Sequence, residues 1–140
     1  MSRIIMFLKA KSIGLLIGIA WTALSCFTSV TDPTQAIGAS IKTGEAHQLA
    51  AFFDTKLELR VDPVGVDFPS VRADQAEVIM RSFFKKYPPG RFMPTEQGST
   101  TNLRYTTGTY WSGSRSFRVN VLMRQTTPGQ YRIHAIQVNE

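Results

Sequence analysis

The period of the apolar positions changes along the chain, and the changes mark the elements. The clearest signal is Ala76, Ile79, Met80, Phe83, Phe84 and Tyr87, which recur at helical spacing and predict a helix over residues 73–87. Glu77 and Arg81 lie four apart on its other side, as on a solvated face. Pro88-Pro89-Gly90 stops it. Upstream, Ile37 and Ile41 predict a short helix over residues 36–42, and Ala46, Leu49, Ala50 and Phe53 a second over 45–53. Asp32-Pro33 is expected to keep the chain non-helical before the first of these. Residues 56–61 alternate polar and apolar, the pattern of a strand with one wet face, and residues 66–68 form a short return strand after the turn at Asp62-Pro63.

After Gly90 the period is that of strands. Residues 91–97, 102–111, 116–124 and 130–138 are the candidates, separated by short Gly-, Ser- and Pro-containing connectors that imply an antiparallel meander. Phe117, Val119, Val121 and Met123 share one face of the third, while Arg118, Asn120 and Arg124 share the other with Leu122. The last strand mixes two phases, Tyr131, Ile133 and Ala135 against Ile136 and Val138, which predicts a curved sheet partly covered on both sides. Helices first and a meander afterwards define α+β: a curved antiparallel sheet wrapped on one long helix, with an N-terminal helix pair.

The first 25 residues differ from everything after them. Arg3, Lys9 and Lys11 precede the apolar run Ile13–Leu24, with no acid before Asp32. Twelve helical residues rise about 18 Å, short of the roughly 30 Å hydrocarbon core of a bilayer. The segment reads as a secretory signal peptide over residues 1–25, followed by a linker over 26–35 and a domain over 36–140. Cleavage falls before Cys26, which also stands where a lipoprotein carries its acylated cysteine, although Ala23 occupies a position where such boxes usually hold leucine. The expected address is beyond the inner membrane, periplasmic or secreted, with lipidation of Cys26 as the variant that anchors it. An uncleaved leader anchoring the chain is the remaining reading of the segment.

The leader also changes the charge argument. The 140-residue chain carries a formal charge of +6, and its pI of 9.8 invites a nucleic-acid reading. Without the three leader cations, 13 basic residues face 10 acidic ones and the excess falls to +3. Nucleic acid is therefore not an expected partner of an exported domain this weakly basic. The single cysteine excludes an internal disulfide. With only two histidines it also excludes a closed Cys/His zinc site. No cofactor and no metal are expected.

Several strings then point to a family. Ile37-Gly38-Ala39, Lys42-Thr43-Gly44, Leu49-Ala50-Ala51-Phe52-Phe53-Asp54, Gln75-Ala76-Glu77, the run Phe83–Pro89, Gln97-Gly98-Ser99, Gly108-Thr109-Tyr110 and Phe117–Leu122 occur in the order and spacing of bacterial secreted proteins known as domain of unknown function 4783. The chain resembles that family over nearly all of residues 36–140. The resemblance implies the nuclear-transport-factor-2-like (cystatin-like) cone, in which a bent sheet wraps a long helix and a pocket often opens at the wide end. Homodimers are common for this fold, so the resemblance adds a third reading beside the two weighed below, a homodimer whose sheet faces are buried by self-association. The family supplies no catalytic residues to carry over.

Candidate chemistry is sparse. His134 is the candidate general base, since imidazole titrates near neutral pH, and its strand position leaves its face open. Relatives of the same cone that are isomerases, dehydratases or hydrolases use a pocket His, Asp or Tyr, so a His134–tyrosine enzyme is the rival reading; fold alone does not transfer that function. No Asp or Glu occurs between residues 102 and 138 to serve as a sheet carboxylate. Arg104, Arg118, Arg124 and Arg132 on neighbouring strands are candidate anion ligands, with Tyr105, Tyr110 or Tyr131 beside them. The leading expectation is a non-catalytic envelope domain that binds a small ligand or an envelope protein in its cone pocket or on its sheet. Contact with a membrane is expected only through the leader or a lipid anchor.

Overall fold

Helix α1 (Pro33–Thr43) starts where the sequence reading placed a non-helical lead-in. Asp32 is its N-cap and accepts a hydrogen bond from the Thr34 amide at 3.0 Å. Pro33 sits in the first turn, where a missing N–H is lost from no helical bond. The same Asp-Pro pair that bars a helix before it therefore begins one after it, and the helix takes in residues 33–35 that were assigned to the linker. The helix ends at Gly44 with φ +71°, and a Cβ there would stand 3.0 Å from the Pro89 ring. The computed structural model describes residues 32–140. The expected leader, Cys26 and residues 26–31 of the expected linker lie outside the described residues.

Helix α2 (Ala46–Ala50) is shorter than expected, because Phe53 already belongs to strand β1 (Phe53–Val61). After the 3-10 turn Asp62–Val64 comes β2 (Val66–Arg72), then the long helix α3 (Ala73–Lys86). The meander follows as β3 (Arg91–Ser99), β4 (Leu103–Ser112), β5 (Arg115–Thr127) and β6 (Gln130–Asn139). The six strands form one sheet in the order β2-β1-β6-β5-β4-β3. Its meander is antiparallel as expected, but β1 pairs with β6 in parallel, so the sheet is mixed. The first hairpin joins the meander along its last strand, a pairing between chain ends that local alternation cannot encode.

Curvature comes from extra residues. On β6, Leu122 faces Ala135 and Met123 faces Ile133, so His134 is the inserted residue. The neighbouring β1 slips at the same level, between Phe53 opposite Ile133 and Glu58 opposite Ala135. Bulges bend a strand and increase its twist, and here they shift the apolar phase. That shift explains the mixed pattern of the last strand: Ile133 lies in the core before the insertion, and Ile136 and Val138 after it.

The three described helices pack on one face of the sheet. Residues Asp32–Glu140 form one unit whose buried core is built from their own elements. Its centre is aromatic. The ring of Phe83 on α3 lies 5.4 Å from Tyr110, 5.7 Å from Phe117, 5.6 Å from Tyr87 and 5.7 Å from Phe84, centroid to centroid. The Tyr110 hydroxyl donates to the Tyr87 carbonyl oxygen at 2.5 Å, which satisfies an acceptor just past the end of α3. Burial raises the Tyr110 pKa above the ordinary tyrosine value of about 10. The neutral phenol therefore stabilises the fold fully below that value, and the contribution is lost as the pH climbs above it. Tyr110→Phe is expected to lower stability in urea at pH 7 by about 1–3 kcal/mol, since the Tyr87 carbonyl loses its donor. The same variant should show a shallower loss of stability above pH 10 than the native chain, and an identical alkaline profile would refute the assignment.

Candidate functional site

The sequence candidates do not meet. Tyr110 is fully buried in the aromatic core and faces the helices. His134 is half-buried in the β6 bulge, and its Nδ1 is enclosed without a hydrogen-bond partner. On β5 their levels correspond to Phe117 and Met123, six residues apart, so about 20 Å separates them along the strand. The cone interior that would hold a substrate is instead filled by Phe83, Tyr110 and Phe117.

The four arginines divide between the two faces. Arg104 shares the helix side with Thr106; its guanidinium lies 4.4 Å from the Tyr131 ring and its Nη1 is 3.3 Å from Asp32 Oδ1, bracing the start of α1. Arg118, Arg124 and Arg132 are exposed, and strand alternation places them on the outer face, away from the helices. There they separate again. Arg124 and Arg132 are direct partners across β5 and β6, whereas Arg118 pairs with Asn139, six residues further along β5. Arg132 Nη1 donates to the Ala51 carbonyl oxygen at 2.8 Å.

Between these ends the outer face is not a plain wet surface. One cross-strand row runs Thr107, Asn120, Gln137 and Arg60; the next runs Gly98, Tyr105, Leu122, Ala135 and Glu58. Ala135 is only 7% exposed although no helix covers it. Leu122, Asn120, Thr107 and Gln137 are half-buried. Together they line a concavity of about 260 Å³ with Tyr105 and Glu58 at its sides. Thr107 Oγ1 donates to Asn120 Oδ1 at 2.9 Å, which orients the amide. The Tyr105 ring lies over Gly98 on the edge strand, where a Cβ would overlap it, and its hydroxyl donates to Glu96 on the same strand, so it leans away from the groove floor.

Sequence reading named the guanidinium groups but missed the groove. The available signal was Leu122, an apolar residue in the polar phase of β5. Its partner Ala135 lies beyond the His134 insertion, so its face could not be assigned without the register. A second concavity, of about 570 Å³, lies between β2 and α3, walled by exposed Phe68 and Val78. Among the described residues no group of three His, Cys, Asp or Glu side chains could hold a metal ion. No described helix is long and apolar enough to cross a membrane.

A curved six-stranded sheet with its helices on one side is the nuclear-transport-factor-2-like, cystatin-like architecture, and solved structures agree. A hypothetical protein from Catenulispora acidiphila DSM 44928, with a ketosteroid isomerase-like fold and in complex with trimethylamine, superposes with a TM-score of 0.57 at 12% identity, over 80% of this chain and 87% of its own. The model of the family described as domain of unknown function (DUF4783) matches residues 34–139, and the chain belongs to that family. It is similar to the DUF4783 protein of Bacteroides ovatus ATCC 8483, with 25% identity and a TM-score of 0.69 over 75% of this chain and 92% of that one. The Bacteroides fragilis YCH46 family member gives 21% and 0.68, over 75% and 95%. No curated protein matches.

The inserted His134 makes no hydrogen bond through its enclosed Nδ1. An enclosed nitrogen without a partner costs about 1–3 kcal/mol, so His134→Leu should unfold in urea at a denaturant concentration equal to or above that of the native chain. A marked drop would mean that the imidazole holds a structural contact.

Proposed function

We propose that this is an exported, non-catalytic envelope domain that binds a small ligand on the outer face of its sheet. The supporting observation is the contrast between the two faces. The helix side, where cone enzymes hold substrates by resemblance, is filled by Phe83, Tyr110 and Phe117. The outer side has a half-buried groove with an apolar floor at Leu122 and Ala135 and oriented polar groups at Asn120, Thr107 and Gln137. An apolar floor with a few fixed polar groups is the usual composition of a small-ligand site. Export rests on the basic, apolar and small-residue order of residues 1–25. In the same reading Cys26, at the processing boundary, is the point of lipid attachment if the exported chain is anchored.

The experiment is purification from the native envelope followed by mass spectrometry under native and denaturing conditions. The denatured chain should begin at Cys26 or later, with added acyl mass only if Cys26 is lipidated. The native chain should carry an organic molecule, and Asn120→Trp, which fills the groove from the face that no helix covers, should lose it while the chain still unfolds in one cooperative transition. A native chain that is empty, or that keeps its ligand after Asn120→Trp, overturns the assignment to this groove. A full-length chain retaining residues 1–25 overturns the leader.

A further inference from the structure

We propose that Arg124 and Arg132 form an anion clamp at one end of the outer-face groove, and that its ligand is a small amphiphile with one carboxylate or phosphate group on an apolar chain. This deepens the binding reading above and rests on it.

The clamp begins with a cost. Arg124 and Arg132 are direct cross-strand partners on one face, and like charges placed so weaken strand pairing. Neither has a carboxylate within salt-bridge distance among the described residues, although Arg60, Arg72, Arg81, Arg104 and Arg115 each have one. Exposed cations commonly guard a sheet edge against pairing with another chain. That role does not apply here, because β5 and β6 are interior strands of the sheet. The two actual edges, β2 and β3, are interrupted instead by Pro69 and Pro94, each beside a register shift.

One member of the pair is also held in place. Arg132 Nη1 is fixed on the Ala51 carbonyl, which leaves the rest of its fork open. Arg124 is exposed on the neighbouring strand. A guanidinium offers five N–H donors in a plane that matches a carboxylate or phosphate edge. Exposed Lys56, on the same face of β1, adds a third cation on the far side of β6.

The groove then sets the rest of the ligand. Leu122 lies two residues before Arg124 on the same face, about 7 Å away, with Ala135 as its partner. The apolar floor thus starts next to the clamp. Beyond it the row Thr107, Asn120 and Gln137 is neutral. Glu58 is the acid nearest the floor, and it disfavours a second negative charge along the body of the ligand. One anionic head and one short apolar chain fit this order of side chains.

The test uses residues 32–140, which contain every described core residue, and ¹⁵N-resolved titration with decanoate, decyl phosphate, decanol, acetate and inorganic phosphate below micellar concentrations. Decanoate or decyl phosphate should shift the amides of Leu122, Arg124, Arg132 and Ala135 and bind at least tenfold more tightly than decanol, acetate or phosphate. Arg124→Gln should weaken that binding tenfold or more while raising the melting temperature, because it removes a like charge. Arg104→Gln, on the opposite face, should leave the affinity unchanged. Equal binding of decanol overturns the clamp and leaves an apolar groove. Equal binding of acetate or phosphate overturns the amphiphile. No outer-face shift with any probe also overturns the clamp, while the groove itself is judged separately by whether Asn120→Trp gives up the native ligand.

Discussion

Phe83 is where the helix layer and the sheet are joined. Its ring reaches Tyr110 on β4 and Phe117 on β5, and the turn after α3 reaches the same place through the Tyr110–Tyr87 hydrogen bond. Burying a Phe side chain is worth about 1.5–3 kcal/mol in transfer alone, and close-packed aromatic neighbours add to that. The remainder of the architecture adapts to this contact. The sheet has to bend around α3, so β1 and β6 take extra residues at one level. The two bulges then decide which side chains of the last strand face the core.

The stripe of α3 was legible because one face of a helix repeats in a window that local sequence fully samples. The alternation of β5 was legible for the same reason. The parallel pairing of β1 with β6 was not, since the paired residues lie 77 or more positions apart and neither strand carries a local mark of its partner. The β6 pattern was an intermediate case. Its two apolar phases were visible, but a phase change has several physical causes, and only the register identifies His134 as the inserted residue. Asp32-Pro33 misled by being read from the wrong side: proline disfavours helix in the residue before it and suits the first turn of a helix after it.

The candidate site divides in a similar way. Parity along β5 already grouped Arg118, Asn120, Leu122 and Arg124, and the structure keeps that group. Arg104 left it because it shares the phase of Thr106 and Tyr110, which face the core. Arg132 joined it only through the bulge, which sets its strand out of phase with Ile136 and Val138. Tyr110 was attractive as a tyrosine beside arginines, yet its ring is part of the packing that closes the cone.

That closure bears on where ligand chemistry can occur. In a cone with an open interior, the side chains that recognise a ligand also support the core, and each polar group placed there removes buried apolar area. Here the interior is aromatic and its hydroxyl is already committed to Tyr87. The outer face carries no such duty, so it tolerates an adjacent pair of guanidinium groups at a modest cost in pairing. Gly98 serves the same separation by letting the Tyr105 ring lie across the edge strand and away from Leu122. Stability is concentrated on the helix side of the sheet, and the proposed ligand contacts all fall on the other.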